Sequence, residues 1–352
     1  MHIPPEVQAQ LNEQKKQCMF CKIISGEMAS TKLFSDDQVI AIQDINPCVK
    51  GHTLVLPHEH YPILPYLPPD QFKHFFSGVV ALAGAIQKAM LATGLTLFIA
   101  NGAVAGQQAP HFLLHILPRE VGDEADYYHI SLKKEFEASK MKSDLAKLAQ
   151  ALSTKIRGDA SSVLPSYLSE IKKESLVIFE DDQILLVSHQ PQAIGHLTIY
   201  SKIEAHDLIK LTSEQAVRIF SIASIVAQSA FETLQVQGTN IILKSGKSND
   251  NPSGLLSVHI LPRSQEDGLD LIPKPMKNKG DLKSAAARIN EETFFLKHQT
   301  EKKTEVIHLD APIPLIKTTS SPFVSSYPPT RRIPHQQDPK TEIRDAIHKL
   351  RN

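Results

Sequence analysis

The five residues His-Ile-Leu-Pro-Arg occur twice, at 115–119 and again at 259–263. A Gly-His pair precedes each at one distance: His52 lies 63 positions before His115, and His196 lies 63 before His259. Landmarks repeated at a fixed offset imply a duplicated unit, so the chain should fold as two related domains. Its 352 residues also exceed what one core comfortably organises. The expected organisation is a helical lead-in (1–17), a first domain (18–122), a helical linker (123–173), a more degenerate second domain (174–266) and a tail (267–352). Seven prolines between 312 and 339 predict an extended, partly disordered tail, with a short terminal helix over Lys340–Leu350.

Composition narrows the partners. Thirty-eight basic and 38 acidic side chains leave no net charge, which gives no support for nucleic acid or an anionic membrane. No run of 18 apolar residues is found, so no membrane-spanning helix is expected. The first residues lack a basic start and an apolar signal segment. Three cysteines are too few for a disulfide framework at this size, and a reducing, cytoplasmic compartment is the simplest reading.

Each repeat carries the same pattern of elements. Leu33–Ile45 and Leu176–Val187 alternate around an Asp-Asp pair and predict hairpins. Thr53–Leu56 and His196–Tyr200 are short strands. Asp70–Leu91 and Thr212–Leu234 carry apolar residues at helical spacing, with Gly94 expected to end the first helix. Leu95–Ala100 with His111–Leu117, and Gly238–Lys244 with Leu255–Leu261, read as the closing strands. Leu132–Ile156, between the repeats, is expected to be helical. On a strand, His111, Leu113 and His115 would share one face. The small-residue loop before them, Asn101 to Gln107, could bring its amides close to a phosphate.

These motifs resemble the histidine-triad (HIT) family of nucleotide-binding hydrolases and transferases. The resemblance covers Cys18–Arg119 well and Leu176–Arg263 more faintly. Its carriers are Cys-Met-Phe-Cys-Lys-Ile-Ile (18–24), Gly26-Glu27, Asp44 to Pro47, Gly51-His52 to Pro57, His60, the Asn101–Gln107 loop and His111 to Arg119. It implies an α+β fold of two HIT-like domains, each an antiparallel sheet with a packed helix. The pair would associate within one chain, giving a monomer with an internal pseudo-dimer.

The family motif is His-x-His-x-His, whose middle histidine attacks the α-phosphorus. Here the first histidine is His111 and the third is His115, but the middle position is Leu113. Leucine has no lone pair and cannot form a covalent intermediate. In the second repeat the three positions are Leu255, Ser257 and His259, and a serine acts as a nucleophile only with a base beside it. The resemblance assigns Asp44 to the ribose hydroxyls and Phe20, Ile23, Ile42 and Ile45 to the base pocket, although ordinary core explains those four apolar residues equally well. It turns His52, Asn101, Gly106, Gln107 and His115 toward the phosphates, with His115 the remaining candidate for catalysis. Ala100 and Gln108 stand where family members often carry Asn and Ser or Thr. In the second repeat Ser188 replaces Asp44 and Asn251 replaces Gln107, which suits a structural partner.

Cys18, Cys21, His60 and His111 match four positions at which some HIT proteins carry zinc, and two thiolates with two imidazoles suit a closed tetrahedral site. A redox dithiol is the alternative, but nothing around Cys18 reads as a thioredoxin-like unit. The second repeat has no cysteine pair, and Glu204 stands at the position of His60. The leading expectation is therefore a zinc-containing HIT-like protein that binds a purine nucleotide or dinucleoside polyphosphate, with catalysis lost or altered. Two others stay open: a working hydrolase or nucleotidyl transferase that positions water with His115, His52 and Gln107, and an adaptor that meets a protein partner through its tail.

Overall fold

The computed structural model describes residues 5–123, 138–157, 164–203, 207–265, 267–271, 274–277 and 280–300. The proline-rich segment, the predicted terminal helix and Glu204 lie outside the described residues.

Two helices open the chain, α1 (Pro5–Gln17) and α2 (Met19–Ser25). The first repeat follows as β1 (Lys32–Ser35), β2 (Val39–Gln43), β3 (Thr53–Pro57), α3 (Pro69–Met90), β4 (Gly94–Asn101) and β5 (Leu114–Arg119). Then come α4 (Ala138–Lys155) and the single-turn α5 (Ser169–Lys173). The second repeat comprises β6 (Leu176–Glu180), β7 (Ile184–Ser188), β8 (Leu197–Ser201), α6 (Ser213–Leu234), β9 (Gly238–Gly246) and β10 (Ser257–Arg263), and α7 (Leu282–Thr300) closes the described chain.

The ten strands form one antiparallel sheet in the order β1-β2-β3-β5-β4-β9-β10-β8-β7-β6. Each repeat supplies five neighbouring strands. The halves join along β4 and β9, paired from Gly94↔Gly246 to Asn101↔Thr239. The expected internal pseudo-dimer is thus one continuous sheet.

Strand alternation sorts the side chains. Leu95, Leu97, Ile99, Phe112, Leu114 and Ile116 face the core against α3 and α6, with Ile241, Leu243, Val258 and Ile260 beside them. One apolar cluster therefore spans both repeats, and Phe76 of α3 stacks on Phe220 of α6 with ring centroids 4.2 Å apart. By length and composition α6 would suffice to cross a bilayer, a feature the search for an unbroken apolar run missed. Its Ala216, Ile219, Phe220 and Val226 pack into this core instead.

The helices that follow the repeats are exchanged. α4 follows the first repeat but packs on α6 of the second. α7 follows the second but packs on α3 and β1 of the first, where the Thr293 hydroxyl donates to the Leu33 carbonyl at 2.8 Å.

Two local expectations are corrected. Leu91, not Gly94, ends α3: it takes the left-handed conformation at φ 55°, and Gln235 does the same after α6 at φ 54°. The strand expected from His111 begins only at Leu114, because the preceding backbone leaves the ladder and the Phe112 amide donates to Tyr61 O. Glycine before the Gly-His histidine has a clear cause. Gly51 sits at φ +83°, and a Cβ there would lie 2.7 Å from Met90; Gly195 repeats this at φ +77°, 2.6 Å from Leu234.

Candidate functional site

The sheet face opposite the helices carries the histidines. Phe112, Leu114 and Ile116 turn to the core, so His111, Leu113 and His115 share the other side even though the strand is shorter than expected.

At one end of this face, α2 and the chain before β5 bring four donors together. The ligand atoms of Cys18, Cys21, His60 and His111 all lie within 4.8 Å of one another. His111 Nδ1 is 3.6 Å from each thiol sulfur, and His60 Nδ1 is 3.3 Å from Cys21 Sγ. Edges of roughly 3.5 Å are what a tetrahedron with metal–sulfur bonds of about 2.3 Å and metal–nitrogen bonds of about 2.0 Å requires. His111 Nε2–H donates to the Pro57 carbonyl at 3.0 Å, leaving Nδ1 as a lone-pair donor toward the thiols. Burial, with Cys18 beside it, pushes the Cys21 thiol up to about 12. A divalent cation reverses that preference by holding the thiolate. The set fits zinc.

Next to it, Phe20, Ile23 and Ile42 meet in a buried cluster with Ile40, Leu54 and Leu56. Leu113 packs against the same cluster, so the middle position of the triad is apolar in its surroundings as well as its chemistry. Ile45 is not part of this cluster and is 70% exposed. Asp44 is half-buried; its Oδ1 accepts from the Asn46 amide at 2.7 Å, and its Oδ2 lies 3.5 Å from His52 Nδ1.

His52 and His115 form a relay whose proton positions follow from the backbone. The Cys48 amide donates to His52 Nδ1 at 3.3 Å, so the His52 proton sits on Nε2. That Nε2–H points at His115 Nδ1, 2.8 Å away, which leaves the His115 proton on Nε2. Burial lowers both rings to about 3, so both are neutral near pH 7. Among the described residues His115 Nε2–H has no protein partner. It is a donor, suited to hydrogen-bonding a phosphate oxygen and unsuited to taking a proton from water. The edge of the Phe98 and His115 rings meets at a centroid distance of 5.6 Å.

Two residues expected at the phosphates have their polar groups bonded within the protein. Asn101 is wholly buried, accepting from Leu64 N at 2.9 Å and donating to Thr239 Oγ1 at 3.0 Å. Gln107 is spent on its own loop: Oε1 accepts from the Gly102 amide at 2.7 Å, and Nε2 donates to Pro62 O and Ala109 O. Gly106 takes φ 90° to close this loop, and its amide donates to Ala103 O. The amides of Ala105 and Gln107 likewise turn inward onto Gly102 O. The sequence pattern located the loop but not the partners of its polar groups, since loop amides bond locally wherever the turn allows.

The second repeat keeps the relay. Gln192 N donates to His196 Nδ1 at 3.0 Å, and His196 Nε2 lies 3.2 Å from His259 Nδ1. Ser257 Oγ lies 3.3 Å from His259 Nε2. The same reasoning places the proton on that nitrogen, so His259 donates to Ser257 and does not activate it. Cys48 and Gln192, whose amides set both relays, escaped the sequence reading. Each stands four residues before the histidine it orients, a repeated spacing that could have marked them. His74 pairs with Asp36 at 2.9 Å, and Arg218 pairs with Asp181 at 2.9 Å in the second repeat.

Comparison with known proteins agrees with this architecture. The HIT domain profile matches twice, over residues 25–122 and 170–266. An adenylylsulfatase, HINT3 of Arabidopsis thaliana, is 40% identical over 132 residues; the match covers 36% of this chain and 66% of that protein, just under two thirds of its length. An uncharacterized HIT-like protein of Methanocaldococcus jannaschii is 42% identical over 106 residues, 30% of this chain and 81% of its own. A Zn-bound histidine triad protein of Mycobacterium smegmatis, known from its crystal structure, is 33% identical over 31% of this chain and 80% of its own, with a TM-score of 0.30. With two matched domains covering more than half of its length, the chain belongs to the HIT family.

Proposed function

We propose that the first repeat is a zinc-containing nucleotide site that binds a purine nucleotide or dinucleoside polyphosphate and has lost or altered the family's covalent chemistry. The observation that carries this reading is Leu113, packed against the apolar cluster that holds Phe20 and Ile42, at the position of the family's nucleophile. The binding parts around it fit the assignment. Phe20, Ile23 and Ile42 offer an apolar wall for a base, and Ile45, 70% exposed, would cover it. Asp44 presents a half-buried carboxylate oxygen for ribose hydroxyls. His115 presents Nε2–H to phosphate oxygen, held in that tautomer by His52 and the Cys48 amide. Zinc on Cys18, Cys21, His60 and His111 would tie α2 to the chain that carries His115, a structural role. The donor character of His115 disfavours it as the base that activates water. Whatever turnover remains would draw on it as a hydrogen-bond donor or acid.

Calorimetric titration of the zinc-loaded protein with adenosine monophosphate tests the reading. Asp44→Ala should weaken binding by about tenfold, roughly the loss of one charge-assisted hydrogen bond. Equal affinity in the two proteins, or no binding by either, would overturn the assignment.

A further inference from the structure

The second repeat does more than complete the sheet, and the residue that links it to the first site is Asn240. This side chain is wholly buried on β9, directly opposite Ala100 of β4. Its Nδ2 donates to the Ala105 carbonyl, in the first repeat's loop, at 2.8 Å. Its Oδ1 accepts from Arg263 NH1 at 2.6 Å. Arg263 is gripped in turn by Asp267 at 2.6 Å and 3.0 Å. An arginine donates only, so this contact fixes which end of the amide faces the loop. Around Asn240 the loop fits closely against the start of β9. Thr239 Oγ1 accepts from Asn101, and a Cβ on Gly102 would lie 2.6 Å from Gln237 O.

We propose that Asn240, held by Arg263, is a positioning residue for the nucleotide site of the first repeat: it fixes the Gly102–Gln107 loop from the second repeat. This inference rests on the loop bordering a phosphate site. The equivalent position in the first repeat is Thr96, which accepts from Arg119 at 3.1 Å. The second repeat's loop is anchored differently, with Asn249 bonded to Gly122 N and Asp123 O. The two seams are therefore separable by substitution.

The decisive substitution is Asn240→Asp. The carboxylate keeps its partner in Arg263 but sets an acceptor against the Ala105 carbonyl. Asn249→Ala is the control, since it loosens only the other loop. Hydrogen exchange of the 102–107 amides and the affinities for adenosine monophosphate and adenosine are measured on the full zinc-loaded chain. Asn240→Asp should speed exchange at Ala105 and Gly106 and weaken the monophosphate roughly tenfold, about one hydrogen bond's worth, while adenosine changes less than about twofold. Asn249→Ala should leave all three readouts as in the parent. Unchanged exchange in Asn240→Asp, or equal loosening by Asn249→Ala, overturns the proposal. If Asn240→Asp does not fold, Arg263→Lys releases the same amide and should speed the same exchange. If the parent binds no nucleotide, the functional assignment fails alone, and the exchange data still decide whether Asn240 holds the loop.

Discussion

His52 and His196 show how one backbone amide can decide what a histidine does. Each is almost fully buried, each accepts a backbone N–H on Nδ1, and each is lowered to about 3 by burial. Their neutral rings orient His115 and His259 as donors. Burial of this kind carries a pH cost with a definite sign. In the unfolded chain a histidine titrates near 6.5, so below that pH the unfolded state binds protons the folded state refuses. The contribution is fully present above about pH 6.5 and is lost as pH falls toward 3. Between pH 7 and 5 this pair alone should cost on the order of 4 kcal/mol, at about 1.4 kcal/mol per unit for each ring. Urea denaturation at the two pH values measures it, and equal stability at both would contradict the neutral relay. The residue scale also marks the limit of the sequence. That Leu113 replaces a histidine was legible from spacing alone. That Asn101 and Gln107 are spent on Leu64, Thr239, Gly102 and Pro62 was not, because those partners are set by the tertiary path of the loop.

At the scale of elements, alternation and helical periodicity were enough to place the strands and both long helices, since each buries one face. Capping was misread at α3 because Leu91 accepts a left-handed turn that glycine usually takes. The clustering of the cysteine pair with His60 and His111 was suggested by family resemblance, and spacing alone does not fix it. α2 is only seven residues long, too short to hold itself, and it lies over Ile40, Ile42 and Leu54 with two thiols directed at two histidines. Metal should therefore contribute to its attachment. Removing zinc with a chelator, or substituting Cys21→Ser, should lower the melting temperature and abolish stoichiometric zinc in native mass spectrometry. Full zinc content in Cys21→Ser would contradict the four-ligand site.

The whole molecule is held by its seam. The β4–β9 ladder joins the halves, the cluster around Phe76 and Phe220 runs through both, and α4 and α7 cross between them. A buried charge group locks the same boundary: Asp250 of the second repeat lies 3.0 Å from Arg119 NH1 of the first and 3.3 Å from Lys244 Nζ. Burial alone would raise the Asp250 carboxyl, but Lys244 and Arg119 outweigh it and hold it below its usual value. Breaking a buried pair leaves an uncompensated charge, so Asp250→Ala should cost about 3–5 kcal/mol. Both repeats should still unfold in one transition, because neither owns a separate core. Two resolved transitions in calorimetry would contradict the single sheet. Duplication was legible from the repeated His-Ile-Leu-Pro-Arg; the exchange of α4 and α7 was not, because amphipathic spacing shows that a helix needs a partner without naming it.

The central claim, as proposed above, is that the first repeat keeps a nucleotide pocket and that Leu113 removes its nucleophile. Its most direct test is product analysis by mass spectrometry after incubating the zinc-loaded parent and Leu113→His with adenosine phosphoramidate, adenylyl sulfate and dinucleoside polyphosphates. The account predicts an inert or nearly inert parent and release of adenosine monophosphate by Leu113→His. Rapid release by the parent, or no gain in the variant, would contradict it.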